Sequence, residues 1–170
     1  MMAPGSQPKE IAENLLAPLH VFRFHVTFKR DSLDGGGGKS PVPLCSGAFS
    51  ECTGLEATME PKAIKAGGSN YGAAQRAGPV TFGTVVLKRG MTSTRDLWNW
   101  YQLVAGGGYA MRLAVEIDMQ DGRGETVLTW GLKHALPVKF KAADLNARGT
   151  EIGVEELHLV HEGLHLMSKD

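Results

Sequence analysis

The chain has 170 residues, enough for one domain with a core that needs no staples. Lys plus Arg and Asp plus Glu number 18 each, a balance that speaks against a nucleic-acid binder and against a disordered chain. No apolar run reaches the roughly 18 residues of a membrane span, and Met1 to Gln7 lacks the basic-then-apolar pattern of a secretory signal. Cys45 and Cys52 are too few for a disulfide framework, and their odd spacing would put them on opposite faces of one strand. They read as two buried, reduced thiols of a protein made in a cytosol. Glycine numbers 22, close to twice the average share of about 7%. Its clusters at 35–38, 67–68 and 106–108 mark loops.

His20 to Lys29 alternates cleanly, with Phe22, Phe24, Val26 and Phe28 on one face, and predicts a half-buried strand. Asp31 to Pro43 reads as a loop. Leu44 to Cys52 is a short second strand. Leu55 to Ile64 is a third with one weakly apolar face, confined by Pro61 to an edge, a bulge or a strand end. Ala66 to Gly78 is polar and glycine-rich, a long hairpin tip or loop. Val80 to Arg89 returns as one strand. Ser93 to Ala105 is the convincing helix: Ser93 as cap, Asp96 in the first turn, Leu97, Tyr101 and Val104 on one stripe, and Gly106 as the stop.

Met111 to Gln120 turns Met111, Leu113, Val115, Ile117 and Met119 inward. Asp121-Gly122-Arg123-Gly124 is a turn. Glu125 to His134 is the antiparallel partner. Glu151 to His161 is the last strand, and its apolar phase switches from Ile152 and Val154 to Leu157 and Leu159, which predicts a bulge at Glu155-Glu156. The sum is a mainly β, antiparallel domain of about six or seven strands with one helix packed on it.

Candidates for chemistry are weak. Leu33 to Ser40 imitates a phosphate loop, but Leu33 stands where glycine is required and Pro41 and Pro43 forbid the helix that must follow. His158, His161 and His165 have no cysteine nearby and do not share a strand face. Glu155 with Glu156, and Glu116 with Asp118, lack any sign of a pocket for acid and base work. Neither cysteine has a base that can be placed beside it. Trp98 and Trp100 lie about 200° apart on a helix, so both cannot face one core. One of the two is a candidate for a subunit interface, where Trp is enriched.

Several segments together resemble the tail tube family of contractile phage tails and phage-like extracellular contractile injection systems. They are Phe49-Ser50-Glu51-Cys52-Thr53-Gly54-Leu55-Glu56; Leu87-Lys88-Arg89-Gly90-Met91-Thr92 before Leu97-Trp98-Asn99-Trp100; Trp130-Gly131-Leu132 with Ala135, Pro137 and Lys139; Asp144-Leu145-Asn146-Ala147; Glu155-Glu156-Leu157; and His161-Glu162-Gly163-Leu164. The likeness runs from about residue 20 to 165, which sets residues 1–18 apart as an N-terminal extension and 19–167 as the tail-tube domain. The glycine-rich insert at 35–38, Cys52 in place of an aliphatic residue and the extension itself depart from the family pattern.

The resemblance implies a two-sheet antiparallel β-sandwich or barrel with one flanking helix. It implies hexameric rings with a continuous inner barrel, stacked helically inside a contractile sheath. The function implied is a passive tube, driven through a target envelope by sheath contraction and conducting DNA or effector proteins, with no catalytic, metal or cofactor residue. Its partners would be copies of itself, the sheath, the baseplate and spike, and a terminal cap. It would assemble in the bacterial cytoplasm into a virion tail or an injection particle. The alternatives are a tube initiator, terminal ring or adaptor of the same fold, or a small β-sandwich binding protein or enzyme.

Physics agrees with polymerisation. Edge strands of a small antiparallel domain expose unpaired N–H and C=O groups, and pairing with neighbouring copies removes that liability. The expected lumen-facing pair is 55–64 with 80–89, presenting Glu56, Thr58, Glu60 and Thr84. The expected contact with the next ring is the loop 66–78, with Asn70, Tyr71, Gln75 and Arg76. Trp98 and Trp100 are the expected subunit-interface candidates.

Overall fold

Alternation in the sequence becomes alternation of burial in the fold. The computed structural model describes residues 23–30, 48–68, 70–107 and 111–167; the expected extension at 1–18, the glycine loop at 35–38 and Cys45 lie outside them. In chain order the elements are β1 (Arg23–Arg30), β2 (Phe49–Thr53), β3 (Ala57–Met59), β4 (Lys62–Ile64), β5 (Ala74–Arg76), β6 (Val80–Phe82), β7 (Val85–Gly90), α1 (Asp96–Ala105), β8 (Leu113–Gln120), β9 (Thr126–Lys141), β10 (Val154–Val160) and β11 (Gly163–Met167).

Seven strands form one antiparallel path, β1-β8-β9-β10-β7-β2, with β11 on β9. The path folds over on β9. Its first half pairs with β8 and β11, and its second half pairs with β10. The fold-over is marked by His134, whose φ is +51°, and by a one-residue slip in the β8 register. Such a bulge bends a strand sharply. A polar clasp holds the bend: Glu162 takes His134 Nδ1 at 2.8 Å and also bonds Arg112. The hydrogen bond from His134 and the nearby Arg112 keep the Glu162 carboxyl below its ordinary pKa.

The two halves face each other across one core. Val26, Phe28, Leu113, Val115, Ile117 and Leu132 come from one half, and Phe49, Val85, Leu87, Leu157 and Leu159 from the other. Each such side chain contributes about 1.5–3 kcal/mol by leaving water. Phe28 of β1 meets Phe49 of β2 at 6.3 Å between ring centroids, so the ends of the path touch. α1 lies against β9, with Trp98 on Phe140 at 5.5 Å. That half of β9 carries Pro137 and a slip in the β10 register at His158/Leu159; proline suits it because, among the described residues, no strand pairs with its outer edge.

Three expectations need correction. Val80 to Arg89 is two strands, broken at Gly83-Thr84. The helix begins at Asp96, after Arg95, and no side chain caps it, so Ser93 has no such role. Its end is as expected, at Ala105 with Gly106 as the C-cap, and Gly107 beyond it is left-handed at φ +73°. The β10 phase does not switch. Glu155, Leu157 and Leu159 all point inward, whereas Val154 and Ile152 are exposed.

The inward Glu155 answers an inward Arg89, 1% exposed on β7. Arg89 Nε donates to Glu155 at 2.5 Å, and its Nη2 donates to Asp96 Oδ1 at 2.6 Å. Burial works against the guanidinium charge, but the hydrogen bonds to Asp96 and Glu155 outweigh it and hold the pKa above its ordinary value. This buried triad ties two strands to the first turn of the helix. The sequence reading missed it because a charge at an inward position looks like a break in the pattern.

Candidate assembly surface

Between β2 and β7 the chain leaves the body as a two-stranded arm. β3 pairs with β6, and further out β4 pairs with β5. Pro61 ends the inner ribbon, as expected, and a one-residue slip separates the two registers. Gly78 permits that slip, because a Cβ there would lie 1.8 Å from the Glu60 carbonyl oxygen. The root is equally tight. Gly54 has φ +86°, and a Cβ on it would lie 2.0 Å from the Thr84 carbonyl oxygen. Side chains therefore cannot be added at Gly54, where the chain enters the arm, or at Gly78, where the outer ribbon passes into the inner one.

Every residue of β3, β4 and β5 is exposed. Among the described residues the arm's ring contact with the body is Phe82 against His161, at 5.1 Å. Burial lowers the His161 pKa below its ordinary value.

The expected site residues fall along this arm in order. Glu56 and Thr84 lie at its root, Thr58 in the middle of the inner ribbon and Glu60 at that ribbon's outer end, all exposed. Gln75 and Arg76 lie in β5, and Asn70 and Tyr71 in the turn beyond. The expected pairing of 55–64 with 80–89 is narrower than foreseen: Ala57–Met59 pairs with Val80–Phe82, while Val85–Gly90 belongs to the body. The loop 66–78 contributes a strand, β5, to the outer ribbon.

At the far end of β7 and β10 the loop 142–153 bounds an open groove. Met91 N–H donates to the Gly153 carbonyl at 2.8 Å and closes its floor. Asn146 shapes the loop by accepting from Arg148 N–H at 3.0 Å.

The sequence matches the family described as T4-like virus tail tube protein gp19 over residues 20–165. The chain belongs to this tail tube family. Among curated proteins, none matches it. A chain of the anti-feeding prophage baseplate, solved with 6-fold symmetry, is 25% identical, covers 90% of this chain and 97% of its own, and superposes with a TM-score of 0.73. A chain of the PVC extracellular contractile injection system, from its sheath-tube complex in the extended state, gives 18% identity, 97% and 100% coverage and a TM-score of 0.67. A chain of the anti-feeding prophage tube-terminating cap gives 16%, 95% and 100%, with a TM-score of 0.69. These two share the tail tube fold with it.

Within this tail tube chain most of the other singled-out residues have ordinary partners, although His161 Nε2 and His165 Nδ1 are buried with no hydrogen-bond partner among the described residues. Trp100, proposed with Trp98 as an interface residue, is buried instead. It is 2% exposed, packs edge-on to Phe28 and donates its indole N–H to the Met111 carbonyl at 3.0 Å. Trp98, 43% exposed, keeps surface to offer. Glu156 lies 3.3 Å from His158, whose hydrogen bond lowers the carboxylate pKa. Glu116 binds Lys29 at 2.6 Å, and Asp118 accepts from Thr129 at 2.5 Å. Burial pushes the Cys52 thiol up to about 11, so it stays protonated and non-nucleophilic near neutrality.

Proposed function

We propose that this chain is the inner-tube subunit of a contractile tail or injection particle. Copies close into hexameric rings, and the rings stack into a hollow tube. The observation that carries this reading is the arm. A two-stranded ribbon exposed on all sides is marginal in water by itself, and this one keeps Met59, Ile64 and Val80 uncovered. Neighbouring copies supply the missing cover. Joined inner ribbons would make a continuous barrel wall, with Glu56, Thr58, Glu60 and Thr84 toward the lumen and its cargo of DNA or effector protein. Asn70, Tyr71, Gln75 and Arg76 would meet the adjacent ring. Sheath, baseplate and spike, and a terminal cap are the partners of such a tube, which would assemble in the bacterial cytoplasm with no catalytic role of its own.

Electron microscopy of the chain, expressed with the rest of its particle, tests this. Hollow rods built of hexameric rings are expected. A monodisperse monomer that enters no particle would overturn the reading. A second reading is a tube-adjoining ring of the same fold, favoured by the 25% identity to a baseplate chain. It differs in outcome: single rings at one particle end, never a rod.

A further inference from the structure

The inner-tube reading leaves open what receives the arm. Resting on that reading, we propose that the arm tip seats in the groove bounded by loop 142–153 of a second copy in the next ring. The first argument is exposure. Among the described residues the three most exposed large apolar side chains are Tyr71 at 101%, Leu145 at 92% and Ile152 at 81%; the next is Leu166 at 51%. Tyr71 is at the arm tip, and Leu145 and Ile152 are on the groove. The groove holds about 830 Å³, room for several side chains, and Met91 and Val154 extend its apolar lining.

The second argument is polarity. The arm root lies at the Val85 and Leu159 end of the β7–β10 pair, where Phe82 meets His161. The groove lies at the Gly90 and Val154 end. Five steps along β10 separate them by about 17 Å. A knob at one pole and a socket at the other make a head-to-tail contact, which does not close and therefore propagates as a stack.

The third argument is charge. Residues 61–78 hold Lys62, Lys65 and Arg76 and no acid. Lys62 stands directly opposite Arg76 in the outer ribbon, and like charges so placed weaken a pair. An anionic neighbour relieves them. Asp144, with 95% of its side chain exposed, and Glu151 stand on the groove loop. Arg148 on that loop, Lys141 at the end of β9 and 3.9 Å from Asp144, and Glu156 on β10 also line the groove, which so carries three acids against two bases. Charge therefore aligns the tip, and the apolar contact holds it.

The test mixes two full-length chains, Tyr71→Cys and Ile152→Cys, in assembled rods under mild oxidation. The unaltered chain provides the background from Cys45 and Cys52. A disulfide-linked pair containing one chain of each kind is expected. In parallel, Tyr71→Asp and Ile152→Asp should each keep rings but shorten rods about tenfold, the result of weakening each junction by roughly that factor. Rods of ordinary length from both variants, or cross-links that form without the Ile152→Cys chain, overturn the proposal. Failure of the unaltered chain to form any ring or rod would sink the tube reading first, and this inference with it.

Discussion

Body and arm are built from the same antiparallel pairing, and they differ in what lies on either side of the pairing. In the body, the inward residues of β7 and β10 meet a facing sheet half, and even the charged pair Arg89 and Glu155 is fully engaged. In the arm, Ala57–Met59 and Lys62–Ile64 have cross-strand partners and, among the described residues, no facing layer. Hydrogen bonds alone do not make a stable element; burial of a face does. The body therefore folds for itself, and the arm is shaped for something else.

Stability measurements can break that contrast. The largest effect is expected for Arg89→Met, which strands two carboxylates and should cost about 3–5 kcal/mol in urea unfolding. Adding Glu155→Leu and Asp96→Leu to the same chain should restore most of the loss. A cost below about 1 kcal/mol for the single variant would mean that the triad is not closed as described.

Next, Leu157→Ala should cost about 2–5 kcal/mol by opening a cavity, whereas Met59→Ala in the arm should stay within about 0.5 kcal/mol in the isolated chain. Equal losses at the two positions would abolish the distinction between body and arm. Gly54→Ala probes the junction itself. A strained left-handed residue costs about 1–3 kcal/mol, and the Thr84 carbonyl leaves no room for the new carbon. A lowered melting midpoint is expected, and an unchanged one would show that the root can rearrange.

The smallest effect is acid sensitivity at the arm root. His161 is held below its ordinary pKa by burial, so its contribution is fully present above the ordinary value of 6.5. It is lost as pH falls through the lower folded-state value. The melting midpoint should therefore drop as the pH falls below the ordinary value of 6.5, and His161→Leu should flatten that drop. An identical pH profile in the variant would remove His161 from the root.

These contrasts also explain what could be read from the sequence. β1 and β8 were legible because Val26, Phe28, Val115 and Ile117 sit in a two-residue period that burial preserves. The turn at Asp121 was legible because its carboxylate accepts from Arg123 and Glu125 N–H groups, a short-range pattern. Arg89 and Glu155 were not legible, since their partners lie on different strands and each alone looks like an outward charge. One signal was available: opposite charges at the inward phases of two apolar strands. The break in Val80 to Arg89 was hidden because both pieces are β-prone, and only the chain's departure into the arm divides them. β11 went unread because His161-Glu162 interrupts a strand that merely crosses from one half of the fold to the other. The arm residues Asn70, Tyr71, Gln75 and Arg76 were placed together by loop composition, but the groove around Leu145 and Ile152 needed the fold.

β9 has a mechanical consequence. Its 16 residues belong to both halves of the body, pairing with β8 and β11 first and with β10 afterwards. Sliding one half over the other would require this single backbone to stretch, which covalent geometry forbids. Motion of one half against the other is therefore resisted by the pairing of β9 with β8, β11 and β10, which makes this one strand the tie between the halves.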